Sequence, residues 1–131
     1  MLKNGNTKDA IATLSKANGY MRGNDDKLDM QLITIALAQA DFISGADSSR
    51  AQKKLDAIAK ELEEDARPFF YNLQGDILMK KGEASTPVLS YYKTLLLDKT
   101  ISYQRDYAKS KITEVYKSQN DDKRIKSLKN L

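Results

Sequence analysis

The sequence predicts an all-α protein built from antiparallel helix-turn-helix repeats. Apolar residues recur at the spacing of one helix face in six segments, and no segment keeps the period-two alternation of a β-strand. Gly5, Gly45 and Gly82 lie 40 and 37 residues apart, each in a short turn that precedes a predicted helix. Turn glycines at such a regular interval are typical of stacked helical repeats.

The first three predicted helices differ in the width of their apolar face. Residues 6–17 follow an Asn or Thr N-cap and are amphipathic. Residues 28–44 are apolar on nearly all sides, and Gly45 is placed to end that helix. Residues 50–64 carry apolar side chains on one face and charges on the other, which predicts a surface helix.

Three more helices are predicted in the second half of the chain. Pro68 begins a helix over residues 68–81, since proline suits the first helical turn and Gly82 follows the last one. Pro87 begins the next helix, which runs to about residue 97. Residues 101–118 form the final helix, with an apolar stripe flanked by tyrosines.

The apolar segment at residues 31–45 is too short for a membrane span. It holds about 14 residues and includes Asp41, whereas a spanning helix needs roughly 20. As the first helix of a central repeat, it is predicted to be buried between neighbouring helices. The alternative, that part of its surface lines a ligand groove, stays open.

The composition excludes most enzyme chemistry. The 131 residues contain neither Cys nor His, which removes thiolate nucleophiles, imidazole catalysis, zinc sites and disulfides. Residues 25–29 are acidic but lack the spacing of a calcium loop, and the acidic residues 61–65 are interpreted as a charged helix end. We therefore expect no enzymatic activity, no catalytic or metal-binding residue, and no cofactor.

The net charge of +4 is concentrated near the C-terminus. Residues 117–131 hold five Lys or Arg and two Asp, a net charge of +3. Residues 119–131 are accordingly predicted to be a basic, solvated polar tail. The seven tyrosines are not interleaved with a basic strip, so binding of nucleic acid is not expected.

The clearest repeat lies at residues 71–98, where large, small, large, turn and aromatic residues follow a fixed spacing: Tyr71, Gly75, Leu78, Gly82 and Tyr91. This pattern resembles the tetratricopeptide repeat, although Pro87 and Lys99 depart from it. The resemblance implies a helical solenoid with a half repeat at 3–17, repeats at 28–64 and 68–97, and a capping helix at 101–118. Residues 1–118 would then form one domain.

The tetratricopeptide resemblance also implies a function. Proteins of this family bind a protein or peptide segment in a concave groove built from the first helices of the repeats. The residues that would line this groove are Ile35, Gln39, Phe42, Phe69, Asn72, Asp76, Met79 and Lys80.

Within that family, the segment LQGDILMKKGE is similar to the last repeats of the bacterial membrane-anchored ancillary subunit of the protein translocon. That similarity implies a fragment of a larger protein, a periplasmic location and cooperation with chaperones, with membrane contact only through an upstream anchor or a partner. Without it, a cytoplasmic location is expected. The alternatives are an accessory repeat domain of an enzyme, such as a membrane-associated zinc metalloprotease, and self-association through the uncovered first helix of the chain, predicted at residues 6–17.

Overall fold

A computed structural model describes residues 27–45, 48–83, 85–97 and 101–129. In these ranges all regular structure is helical and no strand occurs, which confirms the all-α prediction. The predicted helix at 6–17 lies outside the described residues. The described residues form six α-helices: α1 (Lys27–Ser44), α2 (Ser48–Ile58), α3 (Arg67–Lys80), α4 (Ser85–Leu95), α5 (Ser102–Ser118) and α6 (Asp122–Leu128).

The chain divides into two compact units, Met1–Phe70 and Tyr71–Leu131. We call them the first and the second unit. The boundary falls within α3.

The core of the first unit lies between α1 and α2, which pack against each other. The buried apolar side chains of these two helices are small or aliphatic: Ile35, Ala38, Ala40, Ala51 and Leu55. Most other apolar side chains of α1 are half-buried. Alanines at the contact let the two helix backbones approach closely, which explains the alanine-rich sequence of α1.

The second helix ends earlier than predicted, at Ile58 instead of residue 64. Two short 3₁₀ turns, Ala59–Glu61 and Glu64–Ala66, connect it to α3. The buried amide of Gln31 holds this connection, because its Nε2 donates to the Glu61 carbonyl oxygen at 2.9 Å and its Oε1 accepts from the Glu63 backbone N–H at 2.7 Å. These bonds replace those that a continued α-helix would make.

Gln31→Ala is expected to lower the free energy of unfolding by about 1 kcal/mol, because the substitution leaves two backbone groups without their partner. Urea denaturation followed by circular dichroism measures the change. Gln39→Ala, at a half-buried position on the same helix, is the control for loss of a glutamine side chain. Equal losses from the two variants would show that the bonds to the connection do not stabilise the fold.

The core of the second unit is built around Tyr91, the aromatic residue of the repeat pattern, which has no exposed surface. Buried residues of α4, α5 and α6 form one cluster: Tyr91, Leu95, Ala108, Ile112, Tyr116 and Leu128. Gly75 of α3 lies directly against the ring of Tyr91, since a Cβ at Gly75 would be 2.6 Å from ring atoms Cε1 and Cζ. The sequence pattern predicts a small residue where two helices touch, and Gly75 is found at such a contact.

The last helix, α6, lies in the segment that the sequence analysis predicts to be a solvated tail. The side chain of Asp121 caps it by accepting a hydrogen bond from the Arg124 backbone N–H at 3.1 Å. Ile125 packs against the core of the second unit, and Leu128 is only 2 % exposed. Asn120 turns the chain between α5 and α6 with a φ of 55°, a conformation that asparagine tolerates. Residues 122–128 are therefore part of the folded unit.

Candidate functional site

A cleft in the second unit is bordered by α4, the end of α5 and α6. Its volume is about 340 Å³, at the lower end of the range for ligand pockets. We call it the unit-2 cleft. It is lined by Ser85, Val88, Leu89, Tyr92, Tyr116, Gln119 and Arg124.

Helix α4 has one face in the core and the next face on the cleft. Its cleft-lining positions 85, 88, 89 and 92 follow the i, i+3, i+4, i+7 spacing of one helix face. Its buried positions are Pro87, Ser90, Tyr91, Thr94 and Leu95. Leu89 is 63 % exposed, although the opposite side of its helix packs in the core. Most of the surface of this apolar, cleft-lining side chain is therefore in contact with water.

The polar end of the cleft consists of two tyrosines and an arginine. Tyr92 and Tyr116 both line the cleft, and the Tyr116 side chain is close enough to Tyr92 to affect its pKa. Burial, together with this contact, raises the pKa of Tyr92 to about 12, although the nearby Arg124 charge acts in the opposite direction. The Arg124 guanidinium lies 5.7 Å from the centroid of the Tyr116 ring, and its Nε is 3.2 Å from a carboxylate oxygen of Asp121.

A second polar cluster joins three helices of the same unit. The Asp76 carboxylate of α3 accepts a hydrogen bond from the Tyr91 hydroxyl of α4 through one oxygen, and through the other from the Tyr107 hydroxyl of α5 at 2.6 Å. Burial raises the pKa of Asp76, and it raises the pKa values of both tyrosines well above 10. These hydrogen bonds connect α3 to both α4 and α5.

The first unit also contains a cleft, of about 480 Å³, between α1 and the end of α2. Two of its lining side chains, Gln31 and Glu61, are engaged in bonds within the unit, and Lys27 lies 3.3 Å from the Glu61 carboxylate. The strongly exposed large apolar residues among those described are Leu89, Leu96, Ile101 and Tyr103, all in the second unit. The unit-2 cleft is therefore the better candidate for binding.

Three of the eight predicted groove residues have internal roles. Ile35 and Asn72 are buried, at 5 % and 3 % exposure. Asn72 donates to the backbone oxygen and to Oε1 of Gln104, at 3.0 and 2.9 Å, and accepts from the Thr94 hydroxyl at 2.9 Å. Asp76 is held by its two tyrosines.

The other five predicted groove residues retain exposed surface. Gln39, Phe42, Phe69 and Met79 are half-buried, Lys80 is exposed, and Met79 packs against the core cluster of the second unit. None of the eight residues lines the unit-2 cleft. Their role in partner binding stays a prediction.

Sequence reasoning missed Tyr92, Tyr116 and Arg124 as a group because it left the C-terminal segment unfolded. The signal for α6 was present in the sequence: Asp121 is a good N-cap, and Ile125 and Leu128 follow at helical spacing. The excess of basic residues outweighed that signal.

Compared with protein-family models, with curated proteins and with solved structures, the chain has no match. Over the described parts of the chain, no helix has the length and apolar character that a membrane crossing requires. Within the same residues there is no group of three or more side chains suited to hold a metal ion. Because none of these comparisons gives a match, the tetratricopeptide resemblance stays a prediction.

Proposed function

We propose that this chain is a non-enzymatic helical module that binds a segment of another protein in the unit-2 cleft. The observation that carries the proposal is Leu89, which is 63 % exposed at a cleft with apolar and aromatic walls. Exposed apolar surface beside a cleft is typical of sites that take an apolar side chain from a partner.

The finer proposal is that the helices stack as tetratricopeptide repeats. Helices α1 and α2 pack as a pair, and α3 meets α4 through Gly75 and Tyr91, which supports this arrangement. A place in bacterial protein export is supported only by the similarity of residues 73–83 to the ancillary translocon subunit.

Peptides selected from a display library on the purified chain are expected to bind Leu89→Ala at least tenfold more weakly than the unmodified protein. Truncation of an apolar contact at a binding site costs about 1.4 kcal/mol or more when that contact anchors the partner, and this corresponds to a factor of ten. Fluorescence polarisation with labelled peptides measures the dissociation constants.

Leu96→Ala is the matched control for this experiment. Leu96 is 72 % exposed directly after α4 and does not line the unit-2 cleft. Both substitutions are expected to change stability by less than about 0.5 kcal/mol, because exposed side chains contribute little to the fold. Equal effects of the two substitutions on binding, or a library that yields no binder, would contradict the proposed function.

A further inference from the structure

We propose that the segment bound in the unit-2 cleft is acidic, with one large apolar side chain inserted beside Leu89 and an adjacent Asp or Glu side chain held by Arg124 and the Tyr92–Tyr116 pair. This inference rests on the proposed function and adds the chemistry of the partner. It is carried by the arrangement of donors in the cleft and by the charge of the unit.

The size of the cleft limits what can enter it. A volume of about 340 Å³ accommodates one large side chain and a neighbouring polar group. Val88, Leu89 and the two tyrosine rings supply the apolar surface for that side chain, while Ser85, Gln119 and Arg124 form the polar part of the lining. The apolar and polar groups of the partner must therefore be close together in its sequence.

The tyrosine pair offers a hydrogen-bond donor to the partner. Two neighbouring phenol groups carry two hydroxyl protons, and a bond between them would use only one, so at least one remains for an outside acceptor. Tyr92 carries its proton at neutral pH, as any phenol does, and burial raises its pKa further, to about 12. The pair therefore favours a group that accepts hydrogen bonds.

Arg124 is oriented to bind a carboxylate. Its guanidinium lies over the Tyr116 ring, and its Nε is paired with the Asp121 carboxylate, so both contacts favour one orientation of the planar group. The Arg124 side chain is 66 % exposed, so its terminal amino groups can reach a ligand. Two parallel N–H bonds from a guanidinium match the two oxygens of a carboxylate.

The charge of the whole second unit favours the same partner. Residues 71–131 contain twelve Lys or Arg and seven Asp or Glu, a net charge of +5, whereas residues 1–70 contain ten and eleven, a net charge of −1. Lys117, Lys123 and Lys126 are exposed on α5 and α6. A positive surface of this kind raises the rate at which an acidic segment meets the cleft.

The test uses pairs of labelled 12-residue peptides in which a single Leu is followed at one to four positions by Glu, or by Gln in the matched peptide. For at least one spacing, the Glu peptide is expected to bind the unmodified protein about tenfold more tightly than its Gln partner at low salt. Arg124→Gln is expected to remove this preference while both peptides keep their residual binding. Fluorescence polarisation over a salt series provides the constants.

Lys123→Gln is the matched control, because it removes the same charge from an adjacent exposed position that does not line the cleft. If Lys123→Gln and Arg124→Gln reduce the preference equally, the effect is one of net charge and the inference is wrong. Loss of binding in Leu89→Ala with no preference for Glu would leave the proposed function intact and overturn only the acidic partner.

Two other occupants of the cleft would also overturn the inference. Dimers in sedimentation experiments that are abolished by Leu89→Ala would show that a second copy of this chain fills the cleft. Displacement of the Glu peptide by a single-stranded oligonucleotide, with no effect of Leu89→Ala on oligonucleotide binding, would show that the basic surface serves nucleic acid.

Discussion

Above pH 10, the free energy of unfolding of the second unit is expected to fall by about 3 kcal/mol per pH unit through Tyr91 and Tyr107 alone. Burial raises the folded-state pKa of both tyrosines well above 10, and their contacts with Asp76 raise it further. In the unfolded chain each tyrosine loses its proton near pH 10, while in the folded unit it does not. Each such tyrosine lowers the free energy of unfolding by about 1.4 kcal/mol for every pH unit above its unfolded-state pKa.

The sign of the effect follows from proton binding. Between pH 10 and the higher folded-state pKa values, the folded unit holds more protons than the unfolded chain, so stability that is complete below pH 10 is lost as the pH rises. Urea denaturation at pH 8 to 11.5 gives the slope. Phenolate absorbance near 295 nm should rise together with the loss of helical signal.

Single substitutions separate the two tyrosines. Tyr91→Phe and Tyr107→Phe are each expected to reduce the alkaline slope by about 1.4 kcal/mol per pH unit. Tyr103→Phe is the control, because Tyr103 is 56 % exposed, whereas Tyr91 has no exposed surface. A slope that is the same in Tyr91→Phe, Tyr107→Phe and the unmodified protein would show that the buried cluster does not titrate in this way.

Gly75→Ala is expected to lower the free energy of unfolding by about 2 kcal/mol. The added Cβ would lie 2.6 Å from two atoms of the Tyr91 ring and 2.9 Å from a third. Tyr91 has no exposed surface and its hydroxyl is bonded to Asp76, so the ring has no free space to enter. Overpacking of this kind costs up to about 3 kcal/mol, and the better helix propensity of alanine offsets about 1 kcal/mol.

The same substitution should change sign when the ring is absent. In a Tyr91→Leu background, the ring atoms that the methyl group meets are gone, and Gly75→Ala is expected to stabilise α3 by up to about 1 kcal/mol. The four proteins form a double-mutant cycle whose coupling energy measures the contact. A destabilisation that is equal in both backgrounds would place its cause elsewhere than at the Tyr91 ring.

Much of the fold could be predicted because local signals agree with the helices that form. The glycines and prolines that signal helix ends in the sequence lie at or near helix ends in the structure: Gly45, Pro68, Gly82 and Pro87. The end of α2 could not be predicted, because it depends on Gln31, about thirty residues earlier in the chain. Periodicity reports one helix at a time and carries no information on such a distant contact.

The candidate site could not be predicted from the sequence, because its lining residues are also far apart in the chain. Three short segments, around Leu89, Tyr116 and Arg124, meet only because α6 folds back on α4 and α5. The amphipathic signal of α6 rests on two apolar side chains in seven residues, which is weak beside its charges. In contrast, the contact of Gly75 with Tyr91 was predictable, because the spacing pattern over residues 71–98 pairs a small residue with an aromatic residue of the next helix.

The hydrogen bonds of Asn72 and Asp76 determine the axial register of α3 against α5. These residues are one helical turn apart, and they bond to Gln104 and Tyr107, which are also about one turn apart. Contacts between apolar side chains tolerate sliding of one helix along another. A slip of α3 by one turn, about 5.4 Å, would instead break the hydrogen bonds of both Asn72 and Asp76. The two sets of hydrogen bonds thus allow only one alignment of α3 and α5, so that the apolar contacts between these helices form in a single packing.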